Sequence, residues 1–273
     1  MGELIWFFPK TVEEVKDIIT SREGVVPHGG GTGLLRGDIK RYRGLLDLGK
    51  LGLSYITEHN GFVEIGAMTT YGDVVRYFKK KDSKSVLYRS LVDSATTPLK
   101  NRITVGGSIA YFPPWSDIMG SLFILSAEVF LTGEREGWFK ILDYVSNRGL
   151  YRKTVILKIR YNKDKDTGYS AHYRAVRTRV DHPAFTITLL VDIKDKRVDD
   201  ASIYVVGTKD KFKKLTAVEK EIIGKKASEI DTEALNVDNV EFYGKPQFTS
   251  EYQKALFEIE VKRKLREVLE SVK

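Results

Sequence analysis

The stretch His28-Gly29-Gly30-Gly31-Thr32-Gly33-Leu34 constrains this chain more than any other. It follows the apolar run Val25-Val26, which reads as a short buried strand. Glycine loses more conformational freedom on folding than any other residue, so four of them in a row this short need a physical reason. One reason is a backbone that must come close to a phosphate, with successive N–H groups cradling its oxygens. The other is a plain surface turn, and the stretch by itself leaves both open. Two familiar phosphate loops are excluded. No Gly-x-Gly-x-x-Gly spacing fits across these residues, and no Gly-Lys-Ser/Thr follows them.

A second glycine stretch lies about seventy residues on: Leu99-Lys100-Asn101-Arg102-Ile103-Thr104-Val105-Gly106-Gly107-Ser108. Its β-branched flanks read as a strand running into a loop. Next comes Tyr111-Phe112-Pro113-Pro114-Trp115-Ser116-Asp117, where two prolines forbid a continuous helix. Ahead of the first glycine stretch, just after Pro9, Thr11 and Glu14 form a capping box for a helix with Val12, Val15, Ile18 and Ile19 on one face. Leu45 to Leu48 and Phe62 to Met68 read as strands, and Thr70 as the cap of a helix with Val74, Val75, Tyr77 and Phe78. Residues 86 to 98 show no clear period. The apolar stretch Ile118 to Leu131 is dense enough to be core, and Thr154 to Ile159 reads as a strand.

Composition changes at the polar run Asn162 to Gly168, which we read as a domain boundary between Tyr161 and Ser170. Beyond it, Ala184 to Ile193 and Ser202 to Val206 read as strands. Three helical patterns close the chain. Thr216 with Glu219 reads as a capping box for the first, the second lies around Thr232 to Leu235, and Ser250 with Gln253 reads as the cap of the third, with Leu256, Ile259, Leu265, Val268 and Leu269 along it.

Composition then narrows the chemistry. The 273 residues contain no cysteine, which excludes disulfides, thiol nucleophiles and cysteine-ligated iron–sulfur clusters within this chain. The histidines His28, His59, His172 and His182 have no metal-ligand spacing, so no metal site is expected. Net charge is +8, but the clusters at Lys79 to Lys81, Lys211 to Lys214 and Lys262 to Arg266 lie among acids and read as solvated surface. With no nucleic-acid motif, no nucleic-acid partner is expected. The sequence shows no leader and no apolar run long enough to span a bilayer, so the expectation is a cytoplasmic protein with no membrane contact.

The order of these segments resembles the FAD-binding medium subunit of the molybdenum hydroxylase family, which includes the xanthine dehydrogenase FAD domain and the carbon monoxide dehydrogenase medium subunit. The resemblance is carried by Gly29 to Leu34, by Ile65-Gly66-Ala67 running into Thr69-Thr70, by Thr104-Val105-Gly106-Gly107-Ser108, and by Pro114 to Asp117. Tyr173 to Arg177 and the helix from Tyr252 to Leu269 are similar to the family's C-terminal domain. It implies an α+β fold: a two-subdomain FAD-binding domain of the vanillyl-alcohol oxidase (PCMH) type over residues 1–165, then a smaller α+β domain of the CO dehydrogenase flavoprotein type over 170–273. It also implies FAD as the cofactor, with its pyrophosphate between the two glycine stretches. Gly29, Gly30, Gly31, Thr32, Gly33 and Leu34 would form the first cradle, and Thr104, Gly106, Gly107 and Ser108 the second. Asp117 would accept from a sugar or ribitol hydroxyl, its alternative role being to cap a turn. Ile156 or Leu157 would lie near the flavin rings, and Arg174 would be a basic residue near the flavin. The chain departs from the family at Ser108, Lys100 and Tyr111-Phe112, where asparagine, arginine and smaller residues are usual.

The function implied is an oxidoreductase subunit with no catalytic residue of its own, inactive on substrate alone. It would pass electrons from iron–sulfur clusters on a partner chain, fed by a molybdenum cofactor subunit, to NAD or another acceptor. Two alternatives stand beside it: a self-standing FAD-dependent oxidase, and a basic partner-binding protein that has lost flavin.

Overall fold

Thr11 starts the first helix as its sequence requires. Its Oγ1 accepts the Glu14 N–H at 3.2 Å, and the Glu14 carboxylate reaches back to the Lys10 N–H at 2.7 Å. The computed structural model describes residues 4–179, 181–244 and 248–271. In chain order its strands and helices are β1 (Ile5–Phe7), α1 (Val12–Ser21), β2 (Val25–His28), β3 (Gly44–Asp47), β4 (Ile56–His59), β5 (Phe62–Gly66), α2 (Tyr71–Lys81), α3 (Val86–Leu91), α4 (Thr97–Lys100), α5 (Val105–Tyr111), α6 (Ile118–Ile124), β6 (Glu128–Gly133), β7 (Gly137–Lys140), α7 (Ile141–Ser146), β8 (Thr154–Asn162), β9 (Tyr169–Arg174), β10 (Thr186–Lys194), β11 (Arg197–Thr208), β12 (Lys211–Lys214), α8 (Thr216–Ile222) and α9 (Ser250–Glu270). They form two compact units. The first takes Met1–Tyr77, Thr97–Phe112 and Ser126–Lys163; the second takes Phe78–Thr96, Pro113–Leu125 and Asp164–Lys273.

The first unit holds a parallel sheet in the order β1-β3-β2 and an antiparallel sheet in the order β4-β5-β8-β6-β7. Parallel pairing needs a crossover, and α1 supplies it between β1 and β2. The buried face of α1, Val15 and Ile19, packs with Leu46 and Leu48 beside β3 and with Val155 and Leu157 of β8. Burying each such side chain stabilises the fold by about 1.5–3 kcal/mol. Thr70 caps α2 as read, accepting the Asp73 N–H at 3.1 Å while Asp73 accepts the Thr70 N–H at 3.0 Å.

The second unit is an antiparallel sheet in the order β12-β11-β10-β9 with helices against both faces. Ile187, Leu189, Val191, Ile203 and Val205 point one way, into a core shared with Val218 of α8 and Phe257, Val261 and Leu265 of α9. The alternate residues point the other way: Tyr204 meets Phe123 of α6 at 5.3 Å between ring centroids, and Thr188 lies under Gly120 of the same helix. With both faces covered, β10 is buried without a break from Thr186 to Val191.

Several expectations need correcting. Residues 86 to 98 contain α3, with Val86, Leu87 and Leu91 buried. The second glycine stretch does not follow a strand. It follows α4 and opens α5, with Thr104 as N-cap accepting the Gly107 N–H at 3.2 Å. Thr216 and Glu219 do not form a capping box: Leu215 is the N-cap, and Asp238 supplies the acceptor for the Ala217 and Val218 N–H groups at 3.0 and 3.3 Å. Glu219 turns inward and accepts the Ile203 N–H at 2.8 Å. No helix forms around Thr232 to Leu235; Asp231 accepts the Glu233 N–H at 3.0 Å, an Asx-type turn that competes with a helix. The cap of α9 is Thr249, one residue earlier than read, and Gln253 is buried, donating to the Tyr243 and Phe248 carbonyls at 2.8 Å each. Ile259 faces outward, 60% exposed.

Candidate cofactor site

The first glycine stretch leaves the end of β2 and turns back through Gly31, whose φ of +76° suits glycine. The other glycines are explained by close approach. A Cβ on Gly30 would stand 1.5 Å from the Arg102 carbonyl oxygen, and one on Gly29 would stand 3.0 Å from Thr104 Oγ1. Gly33 lies against the Tyr111 ring. Arg102 fastens the turn from below, donating from its Nη2 to the Gly30 carbonyl at 3.1 Å. The two glycine stretches are therefore packed on each other within the first unit. Among the described residues, no acceptor meets the N–H groups of Gly29, Gly30, Gly31, Thr32, Gly33 or Leu34. Six consecutive N–H groups without a protein acceptor are the kind of donors that an anion takes.

The second stretch differs in its donors. The Val105 N–H goes to the Thr69 carbonyl and the Gly106 N–H to the Ala67 carbonyl, both at 2.9 Å. Gly107 donates to Thr104 Oγ1, and Ser108 donates its N–H and its hydroxyl to the Thr104 carbonyl. A Cβ on Gly106 would fall 2.6 Å from that of Ala67, so this glycine serves helix-to-strand packing. Arg148 closes the far end of α5, donating to the Ile109 carbonyl at 2.8 Å, and burial pushes its guanidinium below the usual arginine value. Lys100 is half-buried, and Asn101 beside it accepts from Arg76 at 3.1 Å. Leu157 sits in the first unit's core, its carbonyl accepting the Ala67 N–H at 2.9 Å.

Asp117 and Arg174 belong to the second unit and are bonded to each other. Arg174 Nε donates to Asp117 Oδ1 at 2.7 Å, with both side chains over nine-tenths buried. His172 Nε2 approaches the same oxygen at 3.3 Å, and its Nδ1 lies 2.9 Å from Thr188 Oγ1. Asp117 is the residue before α6, yet its side chain makes no capping bond. It has turned toward β9 instead.

Sequence reasoning missed several of these partners. His28, at the head of the first glycine stretch, holds Asp47 Oδ2 from its Nδ1 at 2.9 Å, and Asp47 Oδ1 takes the Gly49 N–H. Arg102, His172 and Thr188 gave no signal, because each acts through a residue far along the chain. Their places on β9, two residues apart, put His172 and Arg174 on one face of that strand, a relation the sequence analysis did not draw. Among the described residues no metal-ligand cluster is present, and no helix is long and apolar enough to cross a membrane.

The α+β architecture is that of the PCMH-type FAD-binding fold. Residues 2–161, more than half of the chain, match the family described as the FAD binding domain in molybdopterin dehydrogenase, and the chain belongs to that family. Its cofactor is accordingly FAD. The chain is 26% identical to the glyceraldehyde dehydrogenase medium chain of Sulfolobus acidocaldarius, over 68% of this chain and 67% of that one. It is 23% identical to the nicotinate dehydrogenase FAD-subunit of Eubacterium barkeri, over 74% and 72%. In fold it is similar to a chain of quinoline 2-oxidoreductase from Pseudomonas putida 86, with a TM-score of 0.84, 17% identity and coverage of 99% and 98%.

Proposed function

We propose that this chain is the FAD-bearing electron-transfer subunit of a cytoplasmic molybdenum hydroxylase. In this reading it takes electrons from iron–sulfur clusters on one partner chain, supplied by a molybdenum cofactor chain, and delivers them to NAD or another acceptor. The observation that carries the reading is the row of six free N–H groups on Gly29 to Leu34 in a family that binds FAD. Both relatives are named as one chain of a dehydrogenase, which supports a subunit role. The chain has no cysteine, so the clusters belong to another polypeptide.

When bound, FAD supplies the redox chemistry; the residues of this chain hold and orient it. The N–H groups of Gly29 to Leu34 donate to the pyrophosphate. Thr104, Gly106, Gly107 and Ser108 form the wall that keeps that turn in place, the N–H groups of Gly106, Gly107 and Ser108 being committed inside the fold. Leu157 contributes apolar surface, and Asp117 accepts from a ribose or ribitol hydroxyl. Residues 1–165 form the FAD-binding domain in this reading, and residues 170–273 the C-terminal domain.

The test uses the purified full chain loaded with FAD. An artificial donor should reduce it, and it should show no turnover with purines, aldehydes or carbon monoxide. Turnover should appear once an iron–sulfur chain and a molybdenum chain are added. Robust oxidation of such a substrate by this polypeptide alone would refute the subunit reading and favour a self-standing oxidase.

A further inference from the structure

We propose that Arg174 and His172 are positioning residues: they occupy Asp117 Oδ1 so that Oδ2 is the one carboxylate oxygen offered to a hydroxyl of the cofactor. The inference rests on the reading of Asp117 as a cofactor contact. Three observations carry it.

First, Arg174 has no donor left. Its Nε goes to Asp117 Oδ1, its Nη1 to the Asp93 and Arg179 carbonyls at 2.9 and 3.0 Å, and its Nη2 to the Ser94 and Asp181 carbonyls at 3.0 and 3.1 Å. A guanidinium has five N–H groups, and all five are used. Arg174 is therefore a post fixed by four backbone carbonyls, two just after α3 and two in the loop after β9. It presents its fifth N–H to the carboxylate and none to a flavin.

Second, His172 adds a bond to the same oxygen. Its side chain is 3% exposed, and Thr188 Oγ1 holds Nδ1. The nitrogen that faces a carboxylate oxygen carries a proton whichever charge the ring has, so Nε2 donates to Oδ1. Third, Asp117 Oδ2 meets no donor among the described residues, and it is not one of the sealed polar atoms left without a partner. The carboxylate thus has one saturated oxygen and one open oxygen. Its orientation is set by two side chains that are themselves over nine-tenths buried.

The experiment is a double-mutant cycle on the full chain stripped of FAD, read by flavin fluorescence for FAD affinity and by melting of the apoprotein for stability. Asp117→Asn keeps the shape, but Arg174 and His172 hold the amide oxygen, so the amide turns a donor toward the hydroxyl. Affinity should fall roughly ten- to a hundred-fold, the size of a hydrogen bond to a charged acceptor. Arg174→Lys keeps the charge and loses the fork, and should weaken FAD by a similar factor. The double variant should be no weaker than either single one. Should Arg174→Lys fail to fold, Thr188→Val frees the His172 ring with little change of volume, and its smaller loss should vanish in the Asp117→Asn background. Additive losses, or unchanged affinity in Arg174→Lys with Asp117→Asn weakened, would overturn the positioning role alone. Unchanged affinity in Asp117→Asn would overturn the reading of Asp117 itself.

Discussion

Gly30→Ala is the sharpest perturbation of the proposed cradle. The added Cβ would lie 1.5 Å from the Arg102 carbonyl oxygen and 2.7 Å from its carbon, both backbone atoms that cannot swing aside. Ordinary contact begins near 3.4 Å, so the turn must retreat by about 2 Å. That movement breaks the 3.1 Å bond from Arg102 to the Gly30 carbonyl, worth about 1.5–3 kcal/mol as a charged hydrogen bond. With residual strain the total comes to about 3 kcal/mol, or a fall of roughly 6–12 °C in Tm. A displacement of that size also carries the free N–H groups out of hydrogen-bond range of anything they held. Losing two such bonds to a phosphate weakens FAD by roughly a hundred- to ten-thousand-fold. Differential scanning fluorimetry of the apoprotein reads the first effect and flavin titration the second. Gly52→Ala, at a φ of +66° with nothing within 4 Å, controls for glycine backbone strain alone. A Gly30→Ala protein with the melting temperature and the FAD affinity of the wild type would refute both the packing argument and the cradle.

Gly31→Val places a β-branched residue at a φ of +76°, and should cost about 1–3 kcal/mol and leave the purified protein short of flavin by its visible absorbance. Asp166 accepts from Ser85 Oγ at 2.5 Å and the Val86 N–H at 2.9 Å, and burial pushes its carboxyl up to about 6 from 3.8. A raised carboxylate pKa means the folded state binds the extra proton between those values, so stability is full below pH 3.8 and falls as pH rises through 6. Relative to Asp166→Asn, the wild type should lose at most about 3 kcal/mol between pH 3.5 and 7.5 in urea melts; a pH-independent difference would contradict this. Asp238→Ala removes the remote acceptor from the first turn of α8 and should cost about 1 kcal/mol by the same assay.

Much of the fold was legible where a signal is local. The Thr11 and Thr70 caps, the buried pair Val15 and Ile19, and the strand β10 all follow from short-range pattern and composition. What escaped was set by partners distant in sequence. Glycine at 30 and 106 announced close approach but not its object, which is the Arg102 carbonyl in one case and Ala67 in the other. The β-branched run before Gly106 suggested a strand because propensity reads neighbours; the fold spends Val105 and Gly106 on bonds to Thr69 and Ala67 instead. The cap of α8 comes from Asp238, outside any rule based on spacing within one turn. Asp117 and Arg174 were both picked out singly, yet nothing in the sequence ties residue 117 to residues 172 and 174.

The second unit is assembled from pieces of very different age on the ribosome. Helix α6 ends at Ile124, while the strand it packs on, β11, is finished only at Thr208. At ordinary elongation speeds that interval is on the order of ten seconds. Throughout it the apolar side chains Ile118, Met119, Leu122 and Phe123 have no sheet to cover them. Such a nascent chain is exposed to aggregation until its late strands emerge, and silent codon changes that slow translation between residues 125 and 208 should lower the soluble yield without altering one residue of the product.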